Sequence, residues 1–468
     1  MRKKIFFVLF FLTLIFTRFY NLEHTARFTE DESGFLVRVH QIFVERKITL
    51  VGQVNETGTK VFSSLSVYML LPFAVLGKFD PASVFYGAAF WGVVTGLALL
   101  YIVKIVNPKL LIISSLLILF WFPLVQTGRW AWNPNFIPLW IGLGILCYLQ
   151  KKDIFYFFTG LFFGLSVHQH YYALFGVAFF SFIISIEAFL NKNFKKTFYL
   201  GFGIFLTLLP FIIFDLRHSP GIFLLGASGQ AQTFQISQIS KNLPTFTFET
   251  FKYYTQSNVF AVFLLISTVL GLWHDVVNKS KALIFILPGI FQISAISALG
   301  SYYPHYLFPV IVFYFVYLIY PRQKFGRVVS LSSIILLVIG GIISFIPLSR
   351  NAPVGPDLTT VKKIDWVLEE RISRGDIKNV NIAVLGSVDN NTYGRKYRDL
   401  LLVPNNYTLS SSDDYSKSDY LFVVSTQEEE KVRTDPSHDM QNFRNGSLLG
   451  KWEVDSGGWV VYLFGKGS

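Results

Sequence analysis

The sequence predicts an all-α, multi-pass membrane bundle that carries a small α/β domain at its C-terminal end. Three observations predict it. Charged residues make up only 15% of the 468 positions, where soluble domains carry about 25%. The mean hydropathy is +0.47. Apolar runs of about 20 residues, the length of a transmembrane helix, recur until about residue 350 and then stop. These features exclude a soluble enzyme, a disordered chain and a coiled coil.

The first apolar run, 5–16, follows Arg2, Lys3 and Lys4 and lacks a small-residue cleavage site, so it reads as an uncleaved first span with its N-terminus cytoplasmic. Residues 21–80 are polar and amphipathic and are expected on the outer side. Ten further spans are expected at 82–103, 110–126, 135–150, 154–169, 172–190, 198–214, 258–273, 282–300, 305–320 and 328–347. Around His168–Tyr172 one bent helix would also fit the pair 154–169 and 172–190. Lysines and arginines collect at 104–109, 151–152, 192–196, 279–281 and 322–327, the connections assigned to the inside by the positive-inside rule. The net charge, 41 − 29 = +12, is therefore topogenic and gives no reason to expect nucleic acid. About 11 spans place residues 351–468 outside the membrane, so the division is 1–350 (transmembrane) and 351–468 (extracytoplasmic). In the second part 362–372 reads as an amphipathic helix and 381–385, 420–424 and 459–464 as strands. The single cysteine, Cys147, lies in an apolar run and reads as a packed small side chain.

Chemistry-bearing residues gather in the connections assigned to the outer side. Glu30, Asp31 and Glu32 directly precede Phe35, Val39, Ile42 and Phe43, which recur at helical spacing. This helix is suited to lie on a membrane surface. Two readings stay open for Glu32: a capping box with Thr29, or a catalytic acid. Lys60 is either a snorkelling lysine or a cation for a lipid phosphate. Arg129, Asn133 and Asn135 stand among Trp130 and Trp132, either as an interfacial belt or as ligands for phosphate and sugar hydroxyls. His168, His170 and Tyr172 lie at one outer turn, and Tyr303, His305 and Tyr306 at another. The i, i+2 spacing of the two histidines does not suit a metal pair on one helical face.

These residues, in this order, resemble the GT-C glycosyltransferase superfamily, and within it the protein O-mannosyltransferase and lipid A aminoarabinose transferase group. The shared pattern is Asp31-Glu32 after the first span, then a surface helix, then Lys60 to Tyr68, then Gly128-Arg129 to Asn135, and finally His305-Tyr306-Leu307-Phe308-Pro309. The chain lacks the double proline that follows the lysine in that pattern. It also carries Asn133 and Asn135 where many relatives have an acid, which bears on a second carboxylate and on any metal.

The resemblance implies transfer of a sugar from a polyprenyl-phosphate donor to a hydroxyl on a protein, lipid or glycan acceptor. It implies Asp31 as the base, with Glu32 beside it, and Lys60 and Arg129 as phosphate ligands. Asn133, Asn135, His170, Tyr303 and His305 would bind substrate. No cofactor is certain; a divalent metal is compatible with the chemistry and not required, because a monophosphate leaving group can depart on cations alone. A transporter or flippase is the competing reading. Such proteins place ionisable residues near the midplane on broken, repeated helices, whereas here they lie at span ends. Every candidate precedes residue 310, so a chain ended after Arg350 is expected to keep transfer to a simple acceptor.

Overall fold

A computed structural model describes residues 2–54, 61–218, 234–373, 377, 379–386, 394–405, 407, 409–411, 415–454 and 457–466. The chain divides into two compact units. One comprises Met1–Tyr20, Thr49–Ser66 and Ala88–Leu348; the other comprises Asn21–Ile48, Val67–Gly87 and Ser349–Ser468.

The first unit is helical. Its helices include α1 (Arg2–Phe19), most of α5 (Ala82–Val106), α6 (Leu111–Phe120), α7 (Phe122–Thr127), α8 (Ile137–Leu149), α9 (Asp153–Gln169), α10 (Ala173–Leu190) and α11 (Phe194–Arg217). Further helices follow at Ser237–Thr255, Asn258–Val277, Leu283–Leu299, Phe308–Ile319 and Lys324–Arg350. Among the described residues, five helices are long and apolar enough to cross a membrane: Ala82–Val106, Ala173–Leu190, Phe194–Arg217, Asn258–Val277 and Lys324–Arg350. Five shorter apolar helices accompany them, Pro108–Phe120 and Asn133–Leu149 among these. Several expected spans are thus interrupted. The 110–126 run breaks at Trp121, whose ψ of 118° leaves the helical region, and Pro123 then opens α7. The 154–190 stretch is two helices, parted at His170.

Phe308–Ile319 is the centre of the unit. All twelve of its residues are buried, as an all-apolar helix requires. Around it lies one contiguous core containing Leu14, Trp121, Ile141, Phe163, Phe180 and Ile296. Helices α9 and α11 meet backbone to backbone: a Cβ on Gly160 would stand 2.0 Å from the Leu200 carbonyl oxygen, and one on Gly203 2.2 Å from that of Phe157. Small residues make such close helix crossings feasible in lipid. Ser237–Thr255 falls in what reads from sequence as a loop. It is a helix whose Phe246, Thr250, Phe251 and Tyr254 are buried along one face.

Near the end of this unit opposite His305, a buried ion pair ties the helix Asn258–Val277 to the connection that follows Phe308–Ile319. Arg322 Nε donates to both Asp275 carboxylate oxygens, at 3.1 and 2.9 Å, and its Nη1 to Ser330 Oγ at 2.6 Å. Arg322, read from sequence as a topogenic loop charge, is therefore an interior residue.

The second unit contains α2 (Leu22–Thr25), α3 (Glu30–Phe43), most of α4 (Leu65–Leu76), helices Leu358–Ser373 and Arg395–Asn405, and a four-stranded sheet. Strands β3 (Val380–Leu385), β4 (Tyr420–Ser425), β5 (Leu448–Glu453) and β6 (Val460–Gly465) lie in the order β3-β4-β6-β5. The β3–β4 pair is parallel and the others antiparallel. β5 escapes sequence reading because its sequence, LLGKWE, interrupts the apolar run with Gly450 and Lys451. The expected surface role of α3 is corrected. Its apolar residues Phe35, Leu36, Val39 and Ile42 are buried within the protein, on the helix that packs against Arg395–Asn405. Ser33 Oγ donates to Asp399 Oδ2 at 2.7 Å across that contact. Burial raises the Asp399 carboxyl above its ordinary range, while Ser33 and the nearby Arg395 and Arg398 pull it down.

Candidate functional site

In the first unit, three connections far apart in sequence converge: 128–135, 168–172 and 302–306. Gln292 joins two of them. It is fully buried in a helix whose other polar side chains are Ser294 and Ser297. Its Nε2 donates to the carbonyls of Tyr172, at 2.9 Å, and Tyr306, at 2.7 Å. Its Oε1 accepts from the Gly176 N–H at 2.7 Å. Asn133 ties in the third connection, donating from Nδ2 to the Gln169 carbonyl at 2.5 Å. Asn135 donates to the Trp130 carbonyl at 2.7 Å. Both asparagines thus spend amide donors on backbone.

The rings these bonds position form a continuous aromatic surface. Trp130 stacks on Trp132 at 4.6 Å, and Trp132 meets the His305 ring edge-on at 4.5 Å. His305 lies 5.2 Å from His170 and 4.4 Å from Tyr306. His170 stacks on Tyr172 at 5.0 Å, and Tyr172 lies 3.9 Å from Tyr306. Tyr303 closes the group at 5.7 Å from His305 and is 52% exposed. Tyr303 is exposed, Trp130, Trp132, His305 and Tyr306 are half-buried, and His170 and Tyr172 are buried; the ring faces left open suit the apolar face of a sugar ring.

β1 (Val51–Val54) and β2 (Val61–Ser63) pair antiparallel beside this surface. Phe62 lies 5.6 Å from His170. His168 is held between two elements: its Nε2–H donates to the Thr207 carbonyl at 2.6 Å, which leaves Nδ1 to accept from Ser63 Oγ at 2.8 Å. Lys60 lies outside the described residues.

Arg129 is 4% exposed. Its Nη1 donates to the carbonyls of Thr17, Arg18 and Tyr20 at 3.4, 3.3 and 3.0 Å. These belong to the end of α1, where unsatisfied carbonyls and the helix dipole both favour a cation. Beneath it Arg18, 1% exposed, donates to the carbonyls of Ile118 and Leu119 at 2.9 and 3.1 Å. A Cβ on Gly92 would stand 2.7 Å from Gly128 Cα, so the loop rests directly on α5 above these arginines.

In the second unit, α3 begins with a complete capping box. Thr29 Oγ1 accepts from the Asp31 N–H at 3.3 Å, and Glu32 Oε2 accepts from the Thr29 N–H and hydroxyl at 2.6 Å each. Glu32 is buried and serves the helix end, whereas Asp31 is exposed. Among the described residues, no three His, Cys, Asp or Glu side chains are grouped so as to hold a metal ion.

By sequence, neither a family model nor a curated protein matches the chain. By structure, it is similar over nearly its whole length to ArnT from Cupriavidus metallidurans. The apo structure superposes with a TM-score of 0.61 at 10% identity, over 99% of this chain and 98% of that one. The structure bound to undecaprenyl phosphate gives 0.58 at 11% identity, over 98% of each chain. The chain therefore shares its overall fold with the ArnT structures.

Proposed function

We propose that this chain is an integral-membrane glycosyltransferase that moves a sugar from a polyprenyl-phosphate donor to a hydroxyl acceptor on the outer face of a cell membrane. The observation that carries the reading is the two-way, whole-chain fold likeness to ArnT, together with the undecaprenyl phosphate that the other ArnT structure holds. In this reading the N-terminus is cytoplasmic and residues 351–468 are extracytoplasmic.

Asp31 takes the proton of the acceptor hydroxyl. The freed oxygen attacks the anomeric carbon, the bond from that carbon to the phosphate oxygen breaks, and the electron pair leaves with the polyprenyl phosphate. A single displacement of this kind inverts the anomeric centre. Lys60 and Arg129 stabilise the departing phosphate. Asn133, Asn135, His170, Tyr303 and His305 shape the surface against which substrate rests. Glu32 holds the helix that presents Asp31. The displacement calls for no metal.

Incubating the purified protein with radiolabelled polyprenyl-phosphate sugars and a membrane extract tests this. Label is expected to move from the donor to an acceptor in the extract. Release of label only as free sugar, or none at all from a folded protein across donors, would overturn the reading.

A further inference from the structure

A second cluster of charge lies in the first unit, at the ends of α8 to α11 that are opposite the aromatic surface along α9. Lys151 follows α8, Lys196 lies in the first turn of α11, and Lys281 precedes Leu283–Leu299. These connections are tied together. Lys151 Nζ lies 3.8 Å over the Tyr148 ring and 3.9 Å from Glu187. Lys196 Nζ lies 4.9 Å over Tyr156, whose ring is 6.1 Å from that of Tyr148. Asn193 donates to Asp153 at 3.3 Å. Partial burial holds the Lys151 ammonium below its ordinary range; Lys196 and Lys281 lower it further, against Glu187. Lys151, Lys196 and Lys281 thus share this end of the helices with two carboxylates, Glu187 and Asp153.

The backbone adds an independent observation. Lys151, Lys192 and Lys279 each end a helix at a positive φ, of 60°, 53° and 49°. Glycine or asparagine usually fills that position without strain. Three of these connections instead keep a lysine there. Phe189, Phe194 and Phe198, on α10 and α11, are exposed, so apolar surface suited to lipid flanks these connections.

We propose that this cluster is a binding site for an anionic membrane phospholipid, with its phosphate on Lys151, Lys196 and Lys281. Topogenic charge alone needs neither the convergence nor the aromatic platforms. The inference stands apart from the transfer reaction, since it concerns none of its residues.

Native mass spectrometry of the full chain, with phosphatidylglycerol and phosphatidylcholine of equal chain length, tests it. Each basic residue near an anionic surface contributes about a fivefold preference, so the protein should retain phosphatidylglycerol about 10–100-fold better. The Lys151→Gln/Lys196→Gln/Lys281→Gln variant should lose that preference, and the corresponding arginine variant should keep it. Inorganic phosphate should not displace the lipid. If the glutamine triple variant does not fold, Lys196→Gln alone should lower the preference about fivefold. Equal retention of both lipids, displacement by inorganic phosphate, or an undiminished preference in a folded glutamine variant would overturn the proposal.

Discussion

Asp31 and Glu32 are adjacent acids in different surroundings, and their substitutions should separate cleanly. Asp31→Asn keeps the shape and removes the proton acceptor, so turnover should fall about 10²–10⁴-fold, the contribution of a positioned base, while donor lipid still binds. Glu32→Gln weakens the acceptor that holds the Thr29 N–H and hydroxyl. It should cost roughly 1 kcal/mol of stability and leave turnover largely intact. Full activity in Asp31→Asn, or abolished transfer in a folded Glu32→Gln, would exchange the two roles. Asp365 offers a pH-dependent test in the same unit. Burial, reinforced by Glu369 and Asp80, raises its carboxyl from the ordinary 3.8 to about 7, and its Oδ1 is buried without a partner. The folded state therefore binds this proton more tightly than the unfolded one. The resulting stabilisation is full below pH 3.8 and disappears as pH rises through about 7. Thermal melts of Asp365→Asn should lose less stability than the parent between those limits; parallel curves would refute the assignment.

At the scale of elements, the α6–α7 break shows what a hydropathy run conceals. A run is apolar whether or not its helix is continuous, so 110–126 reads as one span. Pro123 marks the fault in the sequence, because it has no N–H to offer the Leu119 carbonyl. What fills the gap is not legible, since Arg18 comes from about a hundred positions earlier. Arg18→Met should leave the Ile118 and Leu119 carbonyls unpaired at about 1–3 kcal/mol each, lowering the melting temperature in detergent. An unchanged melt would mean that those carbonyls have another partner. The aromatic surface was legible in the same partial way. Its residues stood out as span-end aromatics, histidines and asparagines, but their convergence depends on Gln292, which in sequence is one polar residue beside Ser294 and Ser297 in an apolar helix. Ser237–Thr255 was missed because its polar face, with Lys241, Glu249 and Lys252, dilutes the apolar stripe. The Gly160-x-x-x-Gly164 spacing was a readable signal for the α9–α11 crossing.

For the whole molecule, sidedness and folding make separate demands on the tail. In a Cys147→Ser background, a cysteine at Ser411 should react with an impermeant reagent from outside, and one at Lys196 should not. The reverse pattern would invert the topology. Dispensability of the tail is a different matter. All candidate residues precede position 310, which from sequence suggests that a chain ended after Arg350 keeps its chemistry. Yet Asn21–Ile48 and Val67–Gly87 belong to one compact unit with Ser349–Ser468. α3, which carries Asp31, packs on Arg395–Asn405. Phe35, Leu36 and Val39 of α3 are almost wholly buried, and burying each such side chain contributes about 1.5–3 kcal/mol. Removing the tail exposes that face and strips Ser33 of its Asp399 partner. Hydrogen exchange across residues 35–42 should therefore be slow in the full chain and fast in the chain ended after Arg350. Transfer should fall with that protection, even to a simple acceptor. If the shortened chain keeps both slow exchange and activity, α3 is held without the tail, and the tail serves the acceptor alone.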